Sequence, residues 1–414
     1  MQIADGVVGR FYNAIQAMYS SPKSRIILNE YKTDYFDCPI GVKQGDCLSP
    51  TLFAILINDL AEEIKQSGVG LELDEYTFVN ILLYADDIVL VAKNEEDLQF
   101  LLFIVEKWCQ RWRLEVNLTK TNIMHIRGPR KCQSKFMFLF DRRVVPYCST
   151  YKYLGCSITE FLDFDYTVSQ LADSGGRALG SIITKIIKNG GFPFSVFNTL
   201  YQACVSSILD YGGEIFGYNS YNSTLKIHLR AARSFLGVTK TTAIPGILSE
   251  LNLLVPQYRT QIKMIRQFHR ISKMTNNRLT RKIFEWDKTI ANEGHFTWYS
   301  EVKDIFKSNN LENSFEASTL FDLKDIVDKV QSSMLGSQQN SLKIQCEAMP
   351  KLRTFTTFKE FDKTPCYLTK PMSFIQRKFI SKLRLGCLEI RLETGRYARP
   401  RLPAEARLCQ VCEK

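Results

Sequence analysis

Two short apolar runs, Phe78–Tyr84 and Ile88–Ala92, are separated only by Ala85-Asp86-Asp87. Runs this short, meeting at a polar break, read as two strands of a hairpin with the carboxylates at its tip. A fold that carries such a hairpin must contain sheet. The two acids need their own explanation, because packing gives no reason for them. Neighbouring carboxylates repel, so one resists ionising unless a cation holds both. A hard divalent ion with oxygen ligands, Mg²⁺ above all, is the natural partner. A pair of such ions is a standard device for in-line phosphoryl transfer. An Asp-Asp dipeptide also suits a solvated turn that binds nothing, and the residues upstream bear on that choice.

Residues 41–60 read Gly-Val-Lys-Gln-Gly-Asp-Cys-Leu-Ser-Pro, then Thr-Leu-Phe-Ala-Ile-Leu-Ile-Asn-Asp-Leu. Gly41 and Gly45 flank a polar turn where backbone can come close to a ligand. Ser49 is read as a helix N-cap and Pro50 as the first helical residue. The helix is expected to run to about Lys65, with Leu52, Ile55, Leu56 and Leu60 at helical spacing. A glycine-rich turn feeding a helix N-terminus can dock a phosphate or nucleotide. A plain loop-to-helix junction has the same pattern.

The order Gly-Val-Lys-Gln-Gly-Asp-x-Leu-Ser-Pro-x-Leu-Phe, then Tyr84-Ala-Asp-Asp87, resembles a reverse transcriptase palm. Leu114-Glu-Val-Asn117-Leu-Thr-Lys120-Thr121 is similar to the family's next motif, and Tyr151-Lys-Tyr-Leu154-Gly155-Cys-Ser-Ile-Thr159 to its primer-gripping hairpin. The forms of the first and last motifs are closest to the LINE-type, non-LTR retrotransposon enzymes. The resemblance is strong over about residues 6–160, fainter to about 260 and weak beyond.

The resemblance implies a role for each matching residue. Asp86 would be the main Mg²⁺ ligand of the hairpin, Asp87 the second, and Tyr84 would lie under the primer terminus. Gln44 and Gly45 would line the nucleotide and template side. Lys120 would lie near the triphosphate and could protonate the leaving pyrophosphate; a solvated lysine in a turn is the alternative. Leu154 and Gly155 would hold the primer strand, or simply pack. The implied substrates are an RNA template, a DNA primer and deoxynucleoside triphosphates.

One departure matters. The family uses a further aspartate, from an Asp-x-x-Lys-Ala-Phe-Asp-like strand ahead of the Gly-Val-Lys-Gln-Gly segment, and no such stretch is present. The acids before residue 41 are Asp5, Glu30, Asp34 and Asp37, none in that context. The chain is therefore expected to begin downstream of that strand and not to polymerise DNA by itself.

Residues 1–160 hold 18 Lys and Arg against 20 Asp and Glu, whereas residues 161–414 hold 36 against 23, so the excess of +11 lies wholly downstream. A basic region trailing a polymerase palm should follow nucleic-acid backbone. Arg259, Lys263, Arg266, Arg270 and Lys273 recur at helical spacing and are read as one phosphate-contacting face, backed by Tyr258, Ile262, Ile265, Phe268 and Ile271. The same pattern also suits a solvated helix over core. A second basic group runs from Arg377, Lys378, Lys382 and Arg384 to Arg391, Arg396, Arg399, Arg401 and Arg407. Cys409 and Cys412 form a Cys-x-x-Cys pair, half of a tetrahedral Zn²⁺ site. The chain stops two residues later, and the pair is expected to be a truncated zinc knuckle. The 12 cysteines are mostly scattered singly, which suits reduced thiols. No run has membrane-spanning length, and the start lacks the pattern of a signal peptide.

The expected fold class is α+β. A partial right-hand polymerase palm (1–160) precedes a helical thumb-like region (161–250), a basic helical C-terminal region (251–405) and the zinc-knuckle-like end (406–414). Strands are expected near 24–39, 122–127, 136–140 and 151–158, and helices at 7–21 and from Glu95 to about Arg113. Asn309–Ser314 and Gly336–Ser341 are read as linkers. The functional expectation is a fragment of a non-LTR reverse transcriptase, acting in the nucleus where target-primed integration takes place. The alternative is a retroelement remnant that binds RNA or DNA without catalysis.

Overall fold

The computed structural model describes residues 8–38, 41–74, 77–316, 322–388, 400 and 403. The chain divides into two compact units, Met1–Ser149 and Thr150–Lys414. The class is α+β.

The first unit opens with helix α1 (Gly9–Tyr19), followed by a ladder of short strands. Here β1 (Lys23–Ser24) pairs with β4 (Phe36–Asp37), and β2 (Ile27–Leu28) with β3 (Tyr31–Lys32). Then come α2 (Ser49–Gln66), β5 (Leu71–Asp74), β6 (Thr77–Val79), β7 (Ile81–Tyr84), β8 (Asp87–Leu90), α3 (Glu95–Trp112), β9 (Leu139–Phe140) and β10 (Arg143–Val144). Helix α3 starts where Asn94 accepts from the Asp97 amide at 2.8 Å, and three acids occupy its first turn. It ends at Arg113, whose left-handed φ of 55° stops the helical ladder.

The core of this unit lies between α2, α3 and the β7–β8 hairpin. Leu60, Ile64 and Leu101 are fully enclosed, with Trp108, Ile81, Phe138 and Val145 around them. Each such side chain contributes about 1.5–3 kcal/mol by leaving water. Asn80 is the one polar residue of the apolar run before the hairpin. Its amide donates to the Ile64 and Val69 carbonyls, at 2.9 and 3.0 Å. That ties the end of α2 to the strand, at a carbonyl that also accepts from the Ser67 amide and hydroxyl.

Every sheet among the described residues is a two-stranded antiparallel pair. The strand expected at 122–127 is reduced to a single bridge between Ile123 and Tyr147, and that expected at 136–140 to Leu139–Phe140. Pro146, next to the bridged Tyr147, has no amide hydrogen with which to lengthen that pairing.

The second unit begins with the β11 (Thr150–Tyr153) and β12 (Cys156–Thr159) hairpin. Helices α4 (Asp165–Lys188) and α5 (Phe194–Tyr201) follow, separated by the Gly190-Gly191-Phe-Pro193 break that the sequence marks. After a π-helical turn at Gln202–Ser206 come α6 (Ser207–Leu209), α7 (Gly213–Phe216), α8 (Asn222–Leu236) and α9 (Ile244–Leu251). The remainder is α10 (Pro256–Ser272), α11 (Leu279–Asn292), α12 (Trp298–Ser308), α13 (Glu312–Glu316), α14 (Leu323–Glu347), α15 (Arg353–Phe358), α16 (Cys366–Thr369) and α17 (Phe374–Arg384).

Two large cores among the described residues organise these helices, and they do not follow the order of the chain. Phe197, Tyr201, Phe235, Ile247 and Leu251 share one core with Cys346, Leu352, Phe355, Leu368 and Leu385. The regions 161–250 and 251–405 therefore interleave rather than pack as separate blocks. The other core gathers Ile262, Ile265, Phe268, Phe284, Phe306, Phe315, Val330 and Met334.

Helix α14 corrects one expectation: Gly336–Ser341 is not a linker but the middle of a continuous helix. Val330, Met334, Gln338, Leu342 and Cys346 repeat every four residues, and all are buried. The polar Gln338 is satisfied there, accepting from the Val255 amide at 3.1 Å and donating to the Leu253 carbonyl at 3.0 Å.

Candidate functional site

The β7–β8 ladder pairs Ile81 with Leu90, Leu82 with Val89, Leu83 with Ile88 and Tyr84 with Asp87. Only Ala85 and Asp86 form the turn, and Ala85 takes a left-handed φ of 54°. That is a conformation L-residues adopt at a steric cost, so the tightness of the tip is imposed by the two paired strands. Ile81, Leu83, Ile88 and Leu90 pack on the core of the first unit. Tyr84, Asp86 and Asp87 are exposed, with Tyr84 62% accessible. The expectation placed both carboxylates at the tip; the structure puts Asp86 in the turn and Asp87 on the first rung of β8.

The segment before α2 is knitted onto the end of α1. Tyr19 donates to Asp46 Oδ2 at 2.7 Å, and the Leu48 amide donates to Asp46 Oδ1 at 3.2 Å. The Tyr19 hydroxyl, and after it the Leu48 amide, hold the Asp46 carboxyl below the usual carboxylate range. Lys43 Nζ donates to the Met18 carbonyl at 3.2 Å and lies over the Tyr19 ring. Gly41 and Gly45 have φ of 91° and 81°, with open space where a Cβ would stand. Their glycines answer to backbone handedness, not crowding.

Ser49 is not the N-cap. It is the first residue of α2 and donates to the Lys43 carbonyl at 2.6 Å, while Leu48 precedes the helix without a side-chain cap. Gln44 and Gly45 are exposed on this loop. Lys120 is exposed on another, a turn built by Asn117, whose carbonyl accepts from the Lys120 amide at 3.1 Å. Sequence reasoning named Gln44 and Gly45 and missed Asp46 and Tyr19. Their pairing spans 27 positions, and no local pattern announces it.

The carboxylate pair is right in kind for Mg²⁺, which takes hard oxygen donors. It is short in number for two ions. Among the described residues, no group of three or more His, Cys, Asp or Glu side chains gathers anywhere. The donor set therefore does not fit a two-ion centre. Asp5, Cys409 and Cys412 lie outside the described residues.

In the second unit, Leu154 and Gly155 form the tip of the β11–β12 hairpin, with Leu154 39% accessible. The basic stripe on α10 splits in two. Arg259 forms a two-pronged ion pair with Asp210, at 2.7 and 3.0 Å, and donates to the Leu254 carbonyl at 3.0 Å. Its side chain is 12% accessible and that of Asp210 8%. Lys263 donates to the Asp210 carbonyl. Arg266, Arg270 and Lys273 are exposed. The five residues thus do not share one face toward solvent.

The second basic group divides in the same way. Arg377 is buried, donates to the Phe235 and Phe192 carbonyls at 2.9 and 2.7 Å, and lies 4.1 Å over the Phe235 ring. Arg384 pairs with Glu250, which is fully buried and also accepts from Tyr367 at 2.7 Å. Both arginines tie distant segments together, Arg384 through a buried carboxylate and Arg377 through two backbone carbonyls and a ring face. Arg391, Arg396, Arg399, Arg401 and Arg407 lie outside the described residues.

Residues 8–158 match the family model described as reverse transcriptase (RNA-dependent DNA polymerase). This segment is a reverse transcriptase domain. The chain is 21% identical over 269 residues to the RNA-directed DNA polymerase from mobile element jockey of Drosophila melanogaster, covering 62% of this chain and 28% of that protein. It is 30% identical over 122 residues to the retrovirus-related Pol polyprotein from the type-1 retrotransposable element R2 of Nasonia vitripennis, covering 30% of this chain and 11% of that protein. The chain thus spans less than a third of the length of these relatives. The reverse transcriptase segment is of the LINE type, similar to the enzymes of non-LTR retrotransposons. It contains the Asp86–Asp87 hairpin, the Gly41–Pro50 loop and nearly all of the β11–β12 hairpin. No helix among the described residues is long and apolar enough to cross a membrane.

Proposed function

We propose that this chain is part of an RNA-directed DNA polymerase of a non-LTR retroelement, supplying palm and thumb-like elements. In this reading Asp86 and Asp87 contribute two of the carboxylates that hold Mg²⁺ for nucleotidyl transfer. Tyr84 supports the primer terminus, Gln44 and Gly45 line the nucleotide side, and Leu154 and Gly155 hold the primer strand. Lys120 stands ready to give a proton to departing pyrophosphate. The substrates are an RNA template, a DNA primer and deoxynucleoside triphosphates, and the setting is the nucleus. The observation that carries the reading is the two-residue turn that exposes Asp86 beside Asp87 within a reverse transcriptase segment.

We further propose that the chain as given does not polymerise. Among the described residues no third donor joins the two carboxylates, and such a pair holds ions too weakly to assemble a two-ion centre. A second reading, binding to RNA or DNA without catalysis, is favoured by the exposed Arg266, Arg270 and Lys273. The test is primer extension by the purified chain in Mg²⁺, beside a longer chain of the relatives' length. The expected result is no extension by the short chain, extension by the longer one, and its loss in the longer chain on Asp86→Asn. Extension by the short chain would overturn the proposed inactivity. Extension that survives Asp86→Asn would overturn the role of the hairpin.

A further inference from the structure

The β11–β12 hairpin turns through Leu154 and Gly155 alone, with φ of 47° and 87°. A two-residue hairpin loop asks for positive φ at both positions so that its twist matches the strands. Gly155 takes that conformation freely; a β-substituted residue such as Leu154 does not. Something must hold the turn, and the segment after α6 is in place to do so.

Tyr211 Oη donates to the Leu154 carbonyl at 2.6 Å, across 57 positions of sequence. The same ring covers the next residue: a Cβ on Gly155 would stand 3.1 Å from Tyr211 Cε1 and 3.3 Å from Tyr211 Oη. The approach continues one residue on, where a Cβ on Gly212 would stand 2.9 Å from Cys156 Sγ. Thr167 of α4 donates to the Ser157 carbonyl and anchors β12 from a second helix. Tyr211 is 46% accessible, so filling a core does not account for it. Its hydroxyl and ring face are spent on the strained turn.

We propose that Tyr211 is a positioning residue for the primer strand, acting by locking the Leu154–Gly155 turn. The inference rests on the reading of this hairpin as the element that holds the primer. Gly212 keeps the backbone close enough for the lock to close. A polymerase that must hold a primer end in register gains from a rigid turn, and a hydrogen bond to the carbonyl of its strained residue supplies that rigidity.

The experiment uses the whole chain as wild type, Tyr211→Phe, Tyr211→Ala and Leu154→Asp. The probes are a DNA primer recessed on an RNA template, with 2-aminopurine at the primer 3′ end, and a blunt hybrid of the same length. Hydrogen exchange over residues 150–159 and the thermal midpoint are read alongside. Tyr211→Phe removes only the hydroxyl, so affinity for the recessed hybrid should fall by about 2- to 10-fold, the range of one net hydrogen bond. Exchange at the turn should rise and the 2-aminopurine signal change, while blunt-hybrid affinity and the thermal midpoint hold. Tyr211→Ala should exceed it.

If Leu154→Asp weakens recessed binding while Tyr211→Phe matches wild type, the primer reading stands and the role of Tyr211 falls. If neither changes recessed binding, the primer-holding reading falls and takes the proposal with it. An equal loss on both hybrids with a lowered thermal midpoint would make Tyr211 merely structural and overturn the proposal.

Discussion

Arg259 and Arg266 lie on one helix and look equivalent in the sequence, yet they should fail in opposite ways when removed. Arg259→Ala strips the guanidinium from a pair with Asp210 that is held by two hydrogen bonds and largely closed to solvent. The carboxylate left behind has lost its partner in a low-dielectric setting. Breaking a buried pair on one side costs about 3–5 kcal/mol. For a unit of this size, each kcal/mol lowers the melting temperature by about 2–4 °C, so the fall should be about 6–20 °C. Arg266→Ala, Arg270→Ala and Lys273→Ala remove exposed cations and should each change stability by no more than about 0.5 kcal/mol. If those three touch phosphates, each loss lowers the salt dependence of RNA binding by about 0.7 in log–log slope for a single strand and about 0.9 for a duplex. The assay is RNA affinity from low to moderate salt, with unfolding followed by hydrogen exchange on peptides of α10. A folded, unshifted Arg259→Ala with a reduced salt slope would refute the structural assignment and return Arg259 to the nucleic-acid face.

Three further outcomes follow, two from buried polar groups and one from the loop before α2. His228 is enclosed, hydrogen-bonded through Nδ1 to Tyr201 at 2.7 Å, and pushed down to about 3 by burial and then by the Arg259 charge. Its folded pKa lies below the ordinary value, so its contribution is complete above about pH 6.5 and is lost as pH falls toward 3. The slope is at most about 1.4 kcal/mol per pH unit, and an acid-unfolding series in which His228→Asn kept that slope would count against it. Arg384→Ala leaves Glu250 buried beside Tyr367, and should cost about 3–5 kcal/mol in denaturant unfolding, with Arg384→Lys recovering only part of it. Tyr19→Phe should raise the Asp46 pKa toward its ordinary value and speed exchange of the Leu48 amide, both readable by NMR; an unchanged carboxyl titration would mean that the Tyr19 contact is not formed in solution.

Much of the local structure was legible in the residues. Short apolar runs and the polar break placed β7 and β8, the spacing of Leu98, Leu101, Leu102, Val105 and Trp108 placed α3, and Gly190 to Pro193 separated α4 from α5. These features depend on groups within a few residues of one another, and a local pattern records them. The reduced strands near 122–127 were not legible, because a strand needs a partner and the sequence does not show whether one arrives.

By itself, the sequence determined the hairpin with its two acids, the apolar faces of α2, α3 and α10, and the motif order that marks a reverse transcriptase segment. Tertiary structure alone decided which cations are free for a partner. Asp210 lies 49 positions from Arg259 and Glu250 lies 134 positions from Arg384, so the same basic residue type became a core strut in one place and a solvated charge in another. Periodicity could place five basic residues on one side of a helix. Only the packed chain could bring a buried carboxylate to Arg259 and a backbone carbonyl to Lys263, because burial and pairing are properties of what the rest of the fold delivers to that face.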